Sequence, residues 1–224
     1  WVLETLTDER LDEASFPNLG VKEVWIGSAQ ARLLRVAFVG ELAYEIHAPV
    51  TDMPEIWEAL LKAGERHGIQ PFGVDAQRIL RLEKGRIIVG QDTDGLTTPF
   101  DASMPWAVHL KKPFFRGRHT LAHLKGEEKQ CLVAFTLTPG APLPRECHLV
   151  IHNNRVAGRV TSIARSPTLG HPIGLAMVDR SLADSGEPLS IRADGDQMIT
   201  GERATTPFYD PKGARQYAGK TDGK

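Results

Sequence analysis

The sequence has little cysteine, no large net charge and no long apolar run, and each shortage excludes a class of protein. The two cysteines, Cys131 and Cys147, lack the spacing of metal ligands, and we interpret them as free thiols of a reducing cytoplasm rather than as a disulfide. The formal charge of −1 offers no electrostatic footprint for nucleic acid. No apolar run is long enough to cross a membrane. The sequence therefore predicts a cytoplasmic protein that binds neither nucleic acid nor a membrane.

Common catalytic and metal-binding motifs are also missing from the sequence. It contains no GxSxG, GxGxxG or HExxH motif, and its eight histidines are scattered. The closing GKTDGK, residues 219–224, lacks the upstream glycine of a P-loop and is predicted to be a frayed tail. DTDG at residues 92–95 begins like a calcium loop but lacks the third acidic position and the distal glutamate. We predict a turn there and no metal site in the chain.

The residues that are present have the composition of a globular protein. Of the 224 residues, 41% are hydrophobic and 25% are charged, which allows one large domain or two small ones. The charged segment GEEKQ, residues 126–130, separates a part with helical periodicity from a part with short apolar runs. We therefore predict two domains, at residues 1–125 and 130–210.

The first part combines strand patterns with helix patterns. Three strands are predicted from apolar and β-branched residues, at 22–25, 31–38 and 43–47. Leu34, Val36 and Phe38 are predicted to lie on the buried face of the second strand. From Thr51 to Gly68, a capping residue, an early proline, apolar spacing of three and four residues and a final glycine predict a helix.

The second part has short apolar runs separated by turns. Six strands are predicted, at 131–138, 148–152, 155–164, 173–178, 189–192 and 197–200. Asn153-Asn154 predicts a hairpin turn, and Gly195 predicts a turn between the last two strands. Strands at such short intervals are typical of a small antiparallel β-barrel, so the predicted fold class is an α+β domain followed by a barrel.

The stretch from Gly73 to Pro99 carries the most distinctive residues. It begins with a predicted short helix, whose buried side consists of Val74, Ile79, Leu80 and Leu82. The rest of that helix is predicted to be charged and solvated, with Arg78, Arg81, Glu83 and Lys84. Gly85 can take the positive φ that ends a helix, the apolar run 86–89 suits a strand, and 91–95 suits a polar turn.

The order of motifs in this stretch resembles that of the aminomethyltransferase-like family. LRLEKG (80–85) is followed by GQDTDG (90–95), TTP (97–99) and Trp106-Ala107-Val108. This family includes the glycine-cleavage T-protein and the C-terminal halves of the sarcosine oxidase alpha subunit and of dimethylglycine dehydrogenase. IIVGQDTDG is most similar to the sarcosine oxidase alpha subunit. The resemblance covers nearly the whole chain and implies the second half of a folate-binding domain followed by a C-terminal barrel.

The resemblance also implies a role for Glu45, in the segment GELAYEI. In the family, the second glutamate of this motif holds the pterin of tetrahydrofolate, and by position that residue is Glu45, whereas Glu41 is the first. A reduced pterin presents an amino group and a ring N–H side by side, and one carboxylate can accept a hydrogen bond from each. The alternative is an ordinary solvent-facing strand residue.

Four further residues bear on the implied folate site. Tyr44 points to the opposite strand face from Glu45 and is predicted to belong to the core. Phe38 and Trp106 are candidate apolar walls for the pterin. The T-protein has an arginine at the position of Gln77, so this neutral side chain weakens a T-protein assignment, although it could still hydrogen-bond folate.

The function that the resemblance implies lies in one-carbon metabolism. The leading hypothesis is the tetrahydrofolate-binding part of a sarcosine-oxidase-like alpha subunit, which captures the one-carbon unit of an N-methyl amine as 5,10-methylenetetrahydrofolate. Nothing in the chain resembles a flavin site, so the flavin would belong to a partner subunit or another domain. The alternatives are a stand-alone glycine-cleavage-type aminomethyltransferase, whose carrier is a lipoylated protein, and a non-catalytic folate-binding protein of the same fold.

The start of the chain suggests that part of such a protein precedes it. Trp1 opens an apolar segment without a cap, and the family's first half normally lies before this point. We therefore expect a fragment that lacks the T-protein's catalytic aspartate and is inactive by itself. The catalytic residue is not identified. An inner face with Phe38, Ile46 and Ile79 is expected to be exposed and to favour self-association.

Overall fold

The computed structural model describes residues 1–217, so the tail predicted at 219–224 lies outside the described residues. The chain divides into two compact units. The first consists of Trp1–Leu80 together with the segment that begins at Lys212, and the second consists of Arg81–Pro211. The domain boundary between residues 125 and 130 stays a prediction.

A three-stranded antiparallel sheet and one helix form the core of the first unit. The strands are β1 (Val21–Ile26), β2 (Ala29–Leu34) and β3 (Glu45–His47), hydrogen-bonded in the order β1-β2-β3. Alternate residues of the first two strands face the core, where they pack with Ile56 of helix α1 (Met53–Gly64). The buried strand residues are Val24, Ile26, Ala29, Ala31 and Leu33.

The predicted start of helix α1 is confirmed, and its predicted end is displaced. The helix begins at Met53 with Pro54 in its first turn, although Asp52 makes no side-chain capping hydrogen bond. It ends at Gly64 and continues as a 3-10 turn, Glu65–His67. Gly68 stops this turn with a φ of 69°, the left-handed conformation that favours glycine.

The second strand is shorter than predicted, and its buried face is the opposite one. Strand β2 ends at Leu34 rather than at residue 38. Leu33 and Arg35 are buried, whereas Leu34 is half-buried and Phe38 is 38% exposed. The predicted phase of the alternation is wrong, because the buried side chain is that of Arg35 and hydrophobic periodicity assigns an arginine to the solvent face. Arg35 tolerates burial since its guanidinium donates to the carbonyl of Phe16 and forms an ion pair with Glu13.

The second unit contains a closed antiparallel barrel. Its strands are hydrogen-bonded in the order β4-β7-β6-β5-β8-β9. They are β4 (Gln130–Thr136), β5 (Leu149–His152), β6 (Arg155–Arg165), β7 (Pro172–Asp179), β8 (Leu189–Arg192) and β9 (Met198–Ala204). All six predicted strands are thereby confirmed. Asn153 and Asn154 have φ values of 51° and 58°, which fit the predicted two-residue hairpin turn.

The ring of Phe135 lies at the centre of the barrel core. This side chain is fully buried, and the cluster around it includes Val150, Val178 and Ile191. Glycine makes room for the ring on the neighbouring strand, because a Cβ built on Gly174 would lie 2.7 Å from Cε1 of Phe135 and 2.8 Å from the carbonyl oxygen of Ser162. The ring of Phe135 therefore requires a glycine at position 174.

Three elements of the second unit differ from expectation. The run 86–89, predicted as a strand, has no regular secondary structure. Two short helices were not predicted, α3 (Arg118–Leu124) and α4 (Arg180–Ser185). Among the described residues, no helix has the length and apolarity needed to span a bilayer.

Helix α2 (Val74–Glu83) departs from its predicted burial pattern at both ends. Val74, predicted to be buried, is 68% exposed. Arg81, Glu83 and Lys84, predicted to be solvated, are all buried beside Leu82. Gly85 ends the helix with a φ of 66°, as predicted. The charged groups at this end must therefore find partners inside the protein.

Asp92 is the partner of Arg81, and both side chains are buried in the second unit. Nη1 of Arg81 lies 2.7 Å from Oδ2 of Asp92, and Nη2 donates to the hydroxyl of Ser162 at 2.7 Å. The other carboxylate oxygen of Asp92 accepts from the hydroxyls of Thr161, at 2.7 Å, and Ser162, at 2.5 Å. The backbone N–H of Ile88 also donates to Asp92, at 2.9 Å. Asp92 thus lies in a turn, as predicted, but its side chain belongs to a buried polar network.

A β-bulge makes this network possible. The pairing of β6 with β7 shifts between Val160 and Ser162, which leaves Thr161 as the extra residue. In a regular strand, consecutive side chains point to opposite faces, whereas a bulge can turn two of them to the same side. The hydroxyls of Thr161 and Ser162 consequently both reach Asp92.

Glu83 and Lys84 are satisfied by other parts of the same unit. The carboxylate of Glu83 accepts from the hydroxyl of Ser166 at 2.5 Å and from that of Thr168 at 3.2 Å. Nζ of Lys84 donates to the carbonyl of Asp210 at 2.8 Å and lies 3.2 Å from its carboxylate. The end of α2 is therefore held by one loop after β6 and by the segment after β9.

We predict that Asp92→Asn lowers the free energy of unfolding by about 3–5 kcal/mol, because Arg81 would keep a buried charge without its counter-ion. Urea denaturation followed by circular dichroism measures this change. Asp184→Asn is the control, since it removes a carboxylate from an exposed i,i+4 pair with Arg180 and should leave the midpoint unchanged. Equal midpoints for wild type and Asp92→Asn would contradict the prediction.

We also predict that Gly174→Ala destabilises the barrel by about 1–3 kcal/mol, since its methyl group would overlap the ring of Phe135. The matched control is Gly95→Ala, where no atom lies within 4 Å of the added Cβ. Thermal denaturation of both variants should show a lower midpoint for Gly174→Ala alone. Similar midpoints would mean that the core can shift to accept the methyl group.

Candidate functional site

Glu45 lies at the start of the edge strand of the first unit. Strand β3 pairs with β2 so that Glu45 is opposite Leu34 and Ile46 is opposite Leu33. Side chains alternate along a strand, and Glu45 and His47 therefore share one face while Ile46 takes the other. Ile46 packs against the buried cluster of the unit. The burial of Ile46 thus fixes the orientation of the carboxylate.

The Glu45 carboxylate is accessible to solvent and has open hydrogen-bond acceptor positions. Its side chain is 54% exposed, and Oε2 lies 3.1 Å from Nε2 of His47. One such contact leaves most lone-pair positions of the two oxygens open. A carboxylate in this setting can accept two parallel hydrogen bonds from a ligand that carries neighbouring N–H groups.

Tyr44 lies on the core side, as predicted. Its ring stacks on that of Phe16, with centroids 6.0 Å apart and an interplanar angle of 18°. The hydroxyl donates to the carbonyl of Leu11 at 3.3 Å, and burial raises the pKa of the phenol. Tyr44 therefore supports the strand that carries Glu45 from behind.

A shallow, open depression of about 540 Å³ lies beside His47 on the same sheet. An ion pair between Glu23 and Arg32, with 2.7 Å between Oε1 and Nε, is part of its wall. The lining residues are Glu23, Gln30, Ala31, Arg32, His47, Ala48 and Pro49. The face of the sheet next to Glu45 is thus polar and open.

The loop between β2 and β3 is anchored at its first residue, Arg35. The Nη1 atom of Arg35 donates to the carbonyl of Phe16 at 2.5 Å, and Nη2 pairs with Glu13 and lies 3.4 Å from the carbonyl oxygen of Gln216. Its Nε has no hydrogen-bond partner among the described residues. Phe38, farther along this loop, has its ring partly in solvent.

A second anchor of the loop also comes from the C-terminal segment. Nε of Arg215 lies 2.6 Å and 2.8 Å from the two carboxylate oxygens of Glu41. The backbone N–H of Leu42 donates to the carbonyl of Arg215 at 2.9 Å. Both ends of the loop that precedes Glu45 are therefore tied to residues 215–216.

Gln77 and Trp106 occupy other elements. Gln77 is half-buried on helix α2, and its side chain makes no hydrogen bond within the described part of the chain. Trp106 is 71% exposed on the 3-10 turn Pro105–Ala107 of the second unit. Each therefore has a side chain with surface available for a ligand.

The four predicted site residues are divided between the two units of the chain. Glu45, Phe38 and Gln77 belong to the first unit and Trp106 to the second. No hydrogen bond joins any two of the three first-unit residues in the described range 1–217. Their joint role in one site therefore stays a prediction. No group of three or more His, Cys, Asp or Glu side chains that could hold a metal ion occurs among the described residues.

Sequence reasoning missed three residues that act around Glu45. His47 could have been found, because it lies two positions farther along the strand and so shares a face with Glu45. Arg35 and Arg215 gave no such signal. Arg215 lies 174 residues from its partner Glu41, and local periodicity cannot show a contact over that distance.

Comparison with known proteins finds matches to most of the chain. Residues 1–112 match the family model described as the GCVT N-terminal domain, and residues 130–210 match the glycine cleavage T-protein C-terminal barrel domain. The first match covers half of the chain, and the second coincides with the barrel.

Proteins of two kinds are among the relatives. The sarcosine oxidase subunit alpha of Corynebacterium sp. (strain P-1) is 33% identical over 96% of this chain and 23% of the relative. The aminomethyltransferases of Halothermothrix orenii and Synechococcus sp. (strain CC9311) are 35% and 37% identical over 92% and 93% of this chain. The chain spans 57% and 55% of these two relatives.

A solved structure confirms the predicted fold class. The glycine cleavage system aminomethyltransferase T from Bartonella henselae superposes with a TM-score of 0.73, over 81% of this chain and 50% of that one. At 24% sequence identity, this likeness concerns the fold. Together with the two family matches, it confirms the resemblance first suggested by the LRLEKG and GQDTDG motifs, and the chain belongs to the glycine cleavage T-protein (GCVT) family.

Proposed function

We propose that this chain is the tetrahydrofolate-binding part of a sarcosine-oxidase-like alpha subunit. The observation that carries the proposal is the Glu45 carboxylate, which is exposed on an edge strand with most of its acceptor positions open. The match of a sarcosine oxidase alpha subunit to 96% of the chain supports the enzyme class. The cytoplasmic location inferred from the two cysteines belongs to the same proposal.

The residues of the first unit fit the chemistry of a reduced pterin. Its amino group and ring N–H lie side by side, and the two oxygens of Glu45 could accept one hydrogen bond each. The exposed face of Phe38 offers an apolar contact, as does Trp106 in the second unit. Gln77 offers a neutral amide that can donate and accept.

In this proposal the chain binds and orients tetrahydrofolate, and tetrahydrofolate is the molecule that reacts. Tetrahydrofolate, when bound, supplies the nucleophilic nitrogens that take up the one-carbon unit of an oxidised N-methyl amine, giving 5,10-methylenetetrahydrofolate. Glu45 would fix the pterin edge, and the aromatic walls would limit access of water. The oxidation requires a flavin, which we assign to a partner subunit or another domain.

A second candidate is a stand-alone aminomethyltransferase, whose carrier would be a lipoylated protein. Its support is that aminomethyltransferases match the chain as well as the alpha subunits do, at 30–37% identity against 33%. Gln77 argues against it, because the T-protein resembled by the sequence has a charged arginine there. A non-catalytic folate-binding protein is the third candidate. Turnover with an aminomethylated lipoyl carrier would favour the second candidate, and coupling to a flavoprotein would favour the first.

We predict that Glu45→Gln raises the Kd for tetrahydrofolate at least tenfold, or about 1.4 kcal/mol. An amide has one acceptor oxygen and places an N–H₂ group against a pterin donor, so at least one hydrogen bond is lost. Isothermal titration calorimetry under nitrogen measures the change.

The control for this prediction is Glu58→Gln, which removes one exposed carboxylate of helix α1 and should leave the affinity unchanged. Glu41 is unsuitable as a control, because its carboxylate is held by Arg215 and its loss would disturb the loop before Glu45. Unchanged affinity in Glu45→Gln would remove this residue from the proposed site.

We further predict that the 224-residue chain alone does not accelerate the condensation of tetrahydrofolate with formaldehyde. The folate-facing residues named here bind and orient, and none of them is assigned as an acid or base for the reaction. The rate with the chain should equal the rate in buffer. An acceleration that saturates with folate and is lost in Glu45→Gln would show that the chain holds a complete catalytic site.

A further inference from the structure

The chain carries its positive charge unevenly. Between Ala102 and Gly126 the sequence has five lysines or arginines and no aspartate or glutamate. Because the whole chain has a formal charge of −1, the remaining residues together carry −6. A basic surface segment on an otherwise acidic chain is an electrostatic feature that the folate proposal does not use.

The central part of this segment presents its cations to solvent. Lys111, Lys112 and Arg116 are all exposed, and none of them forms an ion pair within residues 1–217. Between them lies Phe114, whose side chain is 82% exposed. We call residues 109–118 the basic–aromatic loop.

The basic–aromatic loop has a defined backbone although its side chains are exposed. The guanidinium Nε of Arg118 donates to the carbonyl of Leu110 at 3.1 Å and to that of Lys112 at 3.0 Å. The backbone N–H of Arg118 donates to the carbonyl of Phe115 at 3.1 Å. The side chain of Arg118 thus links the two ends of the loop, and helix α3 begins at this residue. A surface that is already ordered loses less entropy on binding.

We propose that the basic–aromatic loop is a docking surface for an acidic protein. Lys111, Lys112 and Arg116 would face carboxylates of the partner, and Phe114 would enter an apolar hollow between them. Aromatic residues and arginine are enriched in protein interfaces, where a few buried anchors carry most of the binding energy. Opposite charge at the rim would accelerate association.

The charge of the rest of the chain favours a protein over a longer polyanion. A nucleic acid or an anionic bilayer extends beyond a ten-residue loop, and the chain outside the basic segment has a net negative charge. A protein can restrict its acidic patch to the size of the loop. Phe114 also suits an apolar hollow, which a folded protein can provide.

The probe for this proposal is a labelled acidic peptide with the triplet Glu-Glu-Leu repeated four times, tested on the full chain by fluorescence anisotropy at low salt. Charge reversal of Lys111→Glu, Lys112→Glu and Arg116→Glu together should raise the Kd at least tenfold. A matched variant, Lys62→Glu, Arg155→Glu and Arg192→Glu, gives the same net charge at exposed positions elsewhere and should change the Kd by less than about threefold. Circular dichroism shows whether both variants fold, and the triple change to glutamine replaces the reversal if it does not.

The aromatic part of the proposal has its own comparison. A peptide in which serine replaces leucine has the same charge, and it should bind more weakly than the leucine peptide to the wild type. Phe114→Ala should abolish that difference. The proposal is overturned if the loop variants and the matched variant bind equally, or if the two peptides bind the wild type equally. It is also overturned if single-stranded DNA, or phosphatidylcholine vesicles with about one third phosphatidylserine, bind more tightly than the leucine peptide.

Discussion

The buried charge of Arg81 is the constraint on which much of the second unit depends. A guanidinium removed from water requires a counter-ion and further hydrogen-bond acceptors, and Asp92 and Ser162 supply them. Asp92 in turn requires donors, which come from Thr161, Ser162 and the backbone of Ile88. The position of the turn after α2 and the bulge in β6 are therefore consequences of one charge.

The buried charges also show where sequence reasoning reached its limit. The barrel could be predicted because its strands are local apolar runs with turns between them, and Asn153-Asn154 marked one hairpin directly. The burial of Arg81 could not be predicted, since its partners Asp92 and Ser162 lie 11 and 81 residues away in the sequence. A periodicity argument treats every charged residue as solvated, and for that reason it places Arg81, Glu83 and Lys84 on the wrong side of the surface.

The candidate site likewise has one part that the sequence predicts and one part that it does not. Glu45 could be selected from the GELAYEI motif, and the alternation of Tyr44, Glu45 and Ile46 followed from strand geometry. Phe38 is more exposed than predicted, because β2 ends at Leu34 and the buried side chain that follows it is Arg35. The polar face around His47 and the two anchors of the preceding loop depend on tertiary contacts, which have no local signature in the sequence.

The first unit is discontinuous along the chain, and this has a consequence for its synthesis. Its sheet and helices are translated first, yet Arg215 and Gln216, which hold the loop between β2 and β3, belong to the segment after the barrel. A ribosome releases these residues only after the whole second unit has been made. The N-terminal sheet therefore completes its contacts last, and until then Arg35 and Glu41 lack the partners that the C-terminal segment provides.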